Sequence, residues 1–447
     1  MFIDEEVFDE CLQKNNLISA TRLIKSPSSI INLDDKQRIL DIFKAIERRT
    51  MEAEENSINK RIADGANLGN LEIAYPPESP ARNEMTNMYR ILKDKGVLKT
   101  FGAASNGNYP VQGSKIITPT LLEQITNLSM VSLTPQPTNT LLIAGGGFAL
   151  LEVLFSAYTG VNLNFLILFT IFLAFLDKLL VNGAVFESIT RLVMPEYSRK
   201  ILRHEAGHFL CAYLLGCPVE GFVLNSWAAL ADSRFGGRST TVSAGTSFFD
   251  PELSDEINGR KPVSRSSIDR YSIVVMGGIA AEALNFGRAD GGAGDEAALI
   301  SFLSNLNPKA GGAISWDLQR IKNQARWGAL QAVSLLKEYN ASYNALVEAL
   351  ENGGDLGECV YAIENAAKEN GLPTIAEKPL GYIVDQGPFG EFVTTIPDFQ
   401  VENNGVKNID TSKKELDVEE EIVSLEDLKK RMQEKLNEID SKLDRLQ

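Results

Sequence analysis

The stretch RHEAGHFL, residues 203–210, contains both histidines of this chain of 447 residues. On a helix, His204 and His208 are four positions apart and lie on the same face, so both imidazoles can bind one ion. Glu205 stands beside the first histidine, where it can take a proton from a water molecule at the metal. Apolar residues at helical spacing predict that residues 197–215 form this helix. Random placement would rarely put a chain's only two histidines in one such motif, so the stretch predicts a catalytic site with Zn²⁺ as its cofactor.

A catalytic zinc site usually has three protein ligands and a water molecule, so a third ligand must come from elsewhere in the chain. With no third histidine, it must be a carboxylate or a cysteine. Asp295 follows a glycine loop and opens a predicted helix, and it ranks first among the carboxylates. Glu282 lies inside the apolar helix predicted over residues 264–286, where a carboxylate needs a partner; it is either an alternative ligand or a residue that orients a histidine. Asp317 lies near another helix start, and N-capping is the simpler role for it, as it also is for Asp295.

The composition argues against several classes of protein. The chain has 44 Lys and Arg against 59 Asp and Glu, a net charge of −15, which argues against a nucleic-acid partner because phosphate binding needs a basic surface. The acidic start MFIDEEVFDE has neither the basic nor the apolar part of a cleavable secretory signal. The cysteines form no CxxC pair, which predicts neither a disulfide framework nor a thiolate zinc site and favours a reducing compartment. They are Cys11, Cys211, Cys217 and Cys359.

Two apolar runs precede the histidine helix. Residues 140–158 are apolar except for Glu152, and residues 164–181 are apolar until Asp177. Each run is close to the roughly 20 residues that cross a bilayer core. They predict a transmembrane helical hairpin over residues 140–182 rather than two buried helices of a soluble domain, because FLILFTIFLAFL is too uniformly apolar for a surface helix.

A hairpin leaves both flanking regions on the same side of the lipid bilayer. The basic residues that follow the second run place that side on the cytoplasmic or stromal face. These residues are Arg191, Arg199, Lys200 and Arg203. Glu152 would have to face the partner helix or another subunit, since an unpaired carboxylate in lipid is costly.

Composition and spacing divide the remaining chain. Residues 1–135 predict an N-terminal, mostly helical region without recognisable chemistry, residues 190–375 a compact domain around the histidine helix, and residues 376–411 a loop-rich linker. Residues 412–447 predict a coiled coil or amphipathic helix, through which a partner or a second copy of the chain would bind. Its apolar positions are Leu425, Leu428, Met432, Leu436, Ile439, Leu443 and Leu446.

The compact domain is predicted to be mainly α with a small β element. Residues 219–242 are rich in Val, Phe and Thr and predict short strands or a hairpin, whereas residues 245–262 predict a polar loop. Further helices are predicted near residues 264–286, 295–305, 315–339 and 341–370.

Three blocks in this order resemble the peptidase domain of the FtsH family of membrane-bound zinc proteases. They are RHEAGHFL, then GGIAAEALNFG at residues 277–287, then GGAGDEAAL at residues 291–299. The resemblance covers roughly residues 197–340. It implies that His204, His208 and Asp295 are the zinc ligands and that Glu205 is the general base.

The chain departs from that family in one large respect. FtsH proteases carry an ATPase module between the membrane segments and the peptidase, but here only residues 182–196 separate the two. No GxxxxGK[ST] motif occurs, so no ATP is expected to be bound by this chain. The loop before Asp295 is also altered and shortened. The whole resembles the ATPase-less FtsH-like proteins of cyanobacteria and plastids, which implies a thylakoid or equivalent membrane.

The predicted function is therefore a membrane-anchored zinc endopeptidase that acts on unfolded or membrane-proximal polypeptides without its own ATPase. The alternative is a non-proteolytic membrane assembly or scaffold protein that retains the peptidase fold. The intact HEAGH motif favours the first, because a protein without activity has no reason to keep the base. An intramembrane protease using Glu152 or Asp177 is disfavoured, because the histidine motif lies outside the apolar runs.

Overall fold

The computed structural model describes residues 3–26, 31–33, 35–63, 79–105, 116–135, 140–236, 242–306 and 316–374. Of these residues 74% are helical, and two strands are present, so the mainly α prediction is confirmed. The predicted linker at 376–411 and helix at 412–447 lie outside the described residues.

The helices are α1 (Ile3–Gln13), α2 (Leu17–Lys25), α3 (Lys36–Ala63), α4 (Pro80–Asp94), α5 (Pro119–Thr126), α6 (Thr140–Thr159), α7 (Leu163–Val181), α8 (Ala184–Val193), α9 (Pro195–Leu214), α10 (Ser226–Ala231), α11 (Pro251–Ile257), α12 (Arg265–Phe286), α13 (Ala293–Leu306), α14 (Leu318–Glu338), α15 (Asn340–Glu351) and α16 (Leu356–Glu369).

The centre of the fold is the packing of α12 between α9 and α14. Apolar side chains fill this core, and the indole of Trp327 on α14 is fully buried. The backbones of α9 and α12 approach closely because glycines face each other, and a methyl group on Gly207 would overlap the carbonyl oxygen of Gly277. This close approach brings the helix that carries the histidines against the helix that carries Glu282.

The N-terminal helices pack directly on this core. The hydroxyl of Tyr89 on α4 donates to the carbonyl oxygen of Val219 at 2.9 Å, and Arg82 on the same helix pairs with the buried carboxylate of Glu220. On α16, Glu364 accepts from the backbone amide of Thr100 at 3.0 Å. The N-terminal region is therefore held by buried polar contacts as well as by apolar packing.

The small β element is an antiparallel pair, β1 (Val219–Val223) and β2 (Gly245–Phe248). The first strand was predicted, but the second lies in the stretch predicted as a polar loop. Within the predicted strand region, residues 226–231 instead form α10, because the side chain of Asn225 caps its first turn. The predicted loop also contains α11, which Asp250 caps and Pro251 opens.

The helix predicted near residues 341–370 is two helices, α15 and α16. Gly353, with φ +74°, follows the end of the first. Asp355 then starts the second with a capping box, in which its side chain and that of Glu358 each accept from the other's backbone amide. The prediction of one helix was wrong because its apolar spacing continues across this break.

The two apolar runs form α6 and α7, which pack against each other and are joined by residues 160–162. The hydroxyl of Thr170 on α7 donates to Glu152 on α6, which confirms that this carboxylate faces the partner helix. Within the described part of the chain, α7 alone is long and apolar enough to cross a membrane by length and composition, with none of it buried. The predicted pair of membrane-crossing helices is not supported by this test.

Candidate metal centre

The two histidines occupy one buried face of α9. His204 and His208 are each 8% exposed, and their ring centroids lie 4.7 Å apart at an interplanar angle of 73°. The two Nε2 atoms are 2.9 Å apart. The predicted helix over residues 197–215 is confirmed, and its geometry points both rings to a single location.

The outer nitrogen of each ring has a partner that fixes the tautomer. Nδ1 of His208 lies 2.7 Å from the carbonyl oxygen of Val274 on α12, and Nδ1 of His204 lies 2.7 Å from Oε1 of Glu282. A carbonyl or carboxylate oxygen only accepts hydrogen bonds, so both Nδ1 atoms carry the proton. A neutral imidazole has one donor and one acceptor nitrogen, so both Nε2 atoms present lone pairs when the rings are neutral, as metal ligands must be.

Asp295 completes the cluster from the first turn of α13. Its Oδ2 atom lies 2.9 Å from Nε2 of His204 and 3.4 Å from Nε2 of His208. Three acceptor atoms thus converge, with no donor among them while both rings are neutral. Such a group needs a proton or a metal ion at its centre, because like lone pairs repel each other.

The charges of the cluster favour a cation at the same location. Burial disfavours the charged form of both rings, yet the bonds to Asp295 and Glu282 raise the pKa of His204 well above its usual range. Burial likewise opposes the charge of His208, but the Asp295 carboxylate raises its pKa. Burial would raise the pKa of Asp295, but His208 and His204 hold it far below its usual range. An ionised Asp295 therefore requires a proton or a metal ion between these groups.

The donor set and the spacing fit zinc. Zn–N bonds of about 2.0–2.1 Å at tetrahedral angles place two ligand atoms about 3.3 Å apart. The separations of 2.9, 2.9 and 3.4 Å are close to that value, and His204, His208 and Asp295 are the one such group of potential ligands among the described residues. Two imidazoles and one carboxylate leave a fourth position for water or substrate.

Glu282 supports the cluster without facing its centre. Its Oε1 atom accepts from His204, and its Oε2 atom accepts from the backbone amides of Asp290 at 2.8 Å and Gly291 at 3.0 Å. Burial alone would raise the pKa of Glu282, but the bonds from His204 and these amides lower it overall. Of the two roles that the sequence leaves open for this carboxylate, the structure places it where it orients a histidine.

The carboxylate of Glu205 is held by the β element. The hydroxyl of Thr246 on β2 lies 3.0 Å from Oε2 of Glu205 and 3.2 Å from its backbone carbonyl oxygen. The side chain is 6% exposed, and burial raises its pKa against the opposing charges of His208 and His204. A carboxylate with a raised pKa is a better proton acceptor than one in water.

Three residues that shape this centre were not predicted from the sequence. Thr246 lies in a stretch predicted to be a loop and had no distinguishing feature. Val274 acts through its backbone carbonyl, which no side-chain pattern reveals. Gly278 did leave a signal, since a glycine pair inside an apolar helix indicates close approach of another element. A methyl group on Gly278 would overlap Nε2 of His204. Asp317 caps α14 through the backbone amide of Arg320, which confirms its simpler role.

No protein-family model matches this chain, and neither a curated protein nor a solved structure is significantly similar to it.

Proposed function

We propose that this chain is a zinc-dependent endopeptidase of the FtsH-like type. The observation that carries the proposal is the convergence of three acceptor atoms, from His204, His208 and Asp295, beside the buried carboxylate of Glu205. That combination of cation site and adjacent base is what metal-assisted hydrolysis of a peptide bond requires.

In this proposal each group has a separate task. Bound Zn²⁺ supplies Lewis acidity that acidifies water and polarises a peptide carbonyl. Glu205 accepts a proton from the attacking water and delivers it to the nitrogen of the leaving amine, and Thr246 keeps the carboxylate aimed at that location. Glu282 and the carbonyl of Val274 hold both Nε2 lone pairs inward.

The absence of a phosphate-binding motif limits the substrates we propose. FtsH-like proteases with an ATPase can pull folded proteins apart, whereas this sequence has no GxxxxGK[ST]. The substrates that suit it are polypeptides that are already unfolded or lie close to the membrane.

The first test measures zinc content and casein cleavage of the full chain and of Glu205→Gln. We expect about one zinc per chain in both, and a loss of cleavage of at least about a hundredfold in the variant, because the base is removed while the ligands remain. Glu196→Gln in the first turn of the same helix is the matched control and should cleave normally. Cleavage that survives Glu205→Gln contradicts the proposal. A zinc-loaded wild type that cleaves nothing favours the scaffold alternative.

We also propose that the α6–α7 hairpin anchors the chain in a membrane, with the peptidase on the cytoplasmic or stromal side of a cyanobacterial or plastid (thylakoid) membrane. The support is exposed apolar surface on both helices. On α6 and α7 it includes Leu150, Leu151, Leu154, Phe155, Phe165, Leu168, Ile171, Phe172 and Phe175. Lipid is the environment in which such a surface is stable.

The exposed apolar surface continues past the hairpin onto α8. This helix turns its polar side inward, where Glu187 accepts from the backbone amide of Ser226 at 2.8 Å. Trp227 is 48% exposed beside it and donates from its indole nitrogen to Ser188 at 3.0 Å. The apolar side chains that α8 exposes are Val185, Phe186, Ile189, Leu192 and Val193. An outward apolar face with a neighbouring Trp is typical of a helix at the membrane interface.

Trp227 provides the test of this anchoring. Trp316 and Trp327 are 7% and 0% exposed, so Trp227 is the accessible one of the three tryptophans. In proteoliposomes of the full chain, we expect lipids brominated near the headgroups to quench its fluorescence more than lipids brominated near the chain ends, and Trp227→Phe to abolish the difference. A chain that carbonate releases from the vesicles contradicts the anchoring.

A further inference from the structure

The strand β2 connects the proposed catalytic base to the N-terminal region. Successive side chains of a strand point to opposite faces, so Thr246 and Ser247 face different neighbours. Thr246 bonds Glu205 on α9, while the hydroxyl of Ser247 lies 3.0 Å from Oε2 of Glu220 on β1. The position of β2 is therefore fixed from two sides.

The contact on the second side is a buried ion pair with α4. Glu220 is 0% exposed and pairs with Arg82, whose Nε donates to Oε1 and whose Nη2 lies 3.2 Å from Oε2. Arg82 is 5% exposed and also lies 3.3 Å from Glu54 on α3. A two-point guanidinium–carboxylate contact fixes orientation as well as distance. Glu220 is thus aimed at Ser247 by the N-terminal region.

A second arginine holds the same residue through its backbone. Arg234 follows α10 and is bonded to both oxygens of Asp232, and its Nη1 donates to the carbonyl oxygen of Glu220. The register of the β1–β2 pair shifts at this point, between Val219 and Gly221. A bulge redirects a strand locally, and here it falls at Glu220, the residue that contacts both Arg82 and Arg234.

We infer that Arg82, Glu220 and Ser247 are positioning residues for the catalytic base, so that the N-terminal region sets the activity of the metal centre through β2. This inference rests on the proposed peptidase function. It gives the N-terminal region a role in the reaction, and it predicts that whatever displaces α4 from Glu220 lowers turnover without removing zinc.

Ser247→Ala tests the inference with the smallest disturbance, because Glu220 keeps its arginine and no buried charge is left alone. We expect kcat to fall about threefold to tenfold, the worth of one hydrogen bond, with KM and zinc content unchanged. Ser247→Thr keeps the hydroxyl and should restore kcat. Ser342→Ala is the matched control, since it removes a buried 2.9 Å bond to the carbonyl of Ile363 within the α15–α16 pair rather than at β2.

Hydrogen exchange of the full chain supplies a readout that does not depend on cleavage. Ser247→Ala should speed exchange of the amides at residues 245–248, and Ser342→Ala should not. Unchanged exchange there, or equal kcat in the two variants, overturns the inference even if the wild type is an active peptidase. If the wild type shows no zinc-dependent cleavage, the proposed function fails, and the exchange measurement alone decides whether the N-terminal region holds β2.

Discussion

Both halves of α12 carry a buried carboxylate, and the two differ in how completely they are satisfied. Glu282 is 3% exposed, both of its oxygens are bonded, and its pKa is lowered. Asp269 is 2% exposed; its Oδ1 accepts from Arg265 and Gln324, but its Oδ2 has no hydrogen-bond partner in the structure. Burial raises the pKa of Asp269 to about 6 against the opposing charge of Arg265.

A buried carboxylate stays ionised when both of its oxygens are hydrogen-bonded. Both side chains lose water, but Glu282 gains two backbone amides and a histidine, whereas Asp269 gains one guanidinium and one amide on a single oxygen. A second oxygen without a donor leaves part of the desolvation cost in place. At the metal centre, the surroundings of Glu282 therefore favour the ionised carboxylate. In the other half of α12, the surroundings of Asp269 favour the protonated form below a pH of about 6.

Gly278→Ala should have the largest effect of the three variants. It changes the half of α12 that carries Glu282 and leaves the half that carries Asp269 unchanged. The new methyl group would overlap Nε2 of His204, so the ring must leave its place and the zinc site should be lost. Elemental analysis after purification should find essentially no zinc. Gly294→Ala is the control, because a methyl group there meets nothing and should leave zinc content intact. Stoichiometric zinc in Gly278→Ala would show that this ring is not a ligand.

Glu282→Gln should have an intermediate effect. The amide keeps the shape but loses the charge that holds the proton on Nδ1 of His204, so zinc affinity should fall about 10–100-fold. Competition with a chromogenic chelator measures this change. Glu296→Gln, next to Asp295, is the control and should retain wild-type affinity. A variant that binds as tightly as the wild type would assign Glu282 a purely structural role.

Asp269→Asn should have the smallest effect, and it should appear as a pH dependence. The folded-state pKa of about 6 lies above the ordinary value of 3.8, so the folded chain binds the extra proton between these values. The free energy of unfolding of the wild type should therefore fall by about 1–2 kcal/mol as the pH rises from about 4 to 6. This pH dependence should be absent from the variant. Denaturant unfolding at several pH values checks it. Parallel curves for the two proteins would mean that Asp269 does not titrate there.

The fold could be predicted where local signals were strong. The histidine helix, the long helix over residues 264–286 and the helical character of the N-terminal region follow from apolar spacing and end signals. The second strand could not be predicted, because residues 245–248 are extended through their pairing with β1, which lies earlier in the chain. Such pairing leaves no local pattern in the sequence. The short helices α10 and α11 were missed because side-chain caps define them in stretches without helical spacing.

The sequence alone identifies the two histidines and the glutamate of α9, because their spacing on one helix is a local property. It also ranked Asp295 above Glu282 as third ligand, although it could not separate capping from metal binding. The contacts of Glu282 with Nδ1 of His204 and of Thr246 with Glu205 became visible with the three-dimensional fold. Those contacts join residues far apart in the chain, and their geometry depends on how closely α9, α12 and β2 pack.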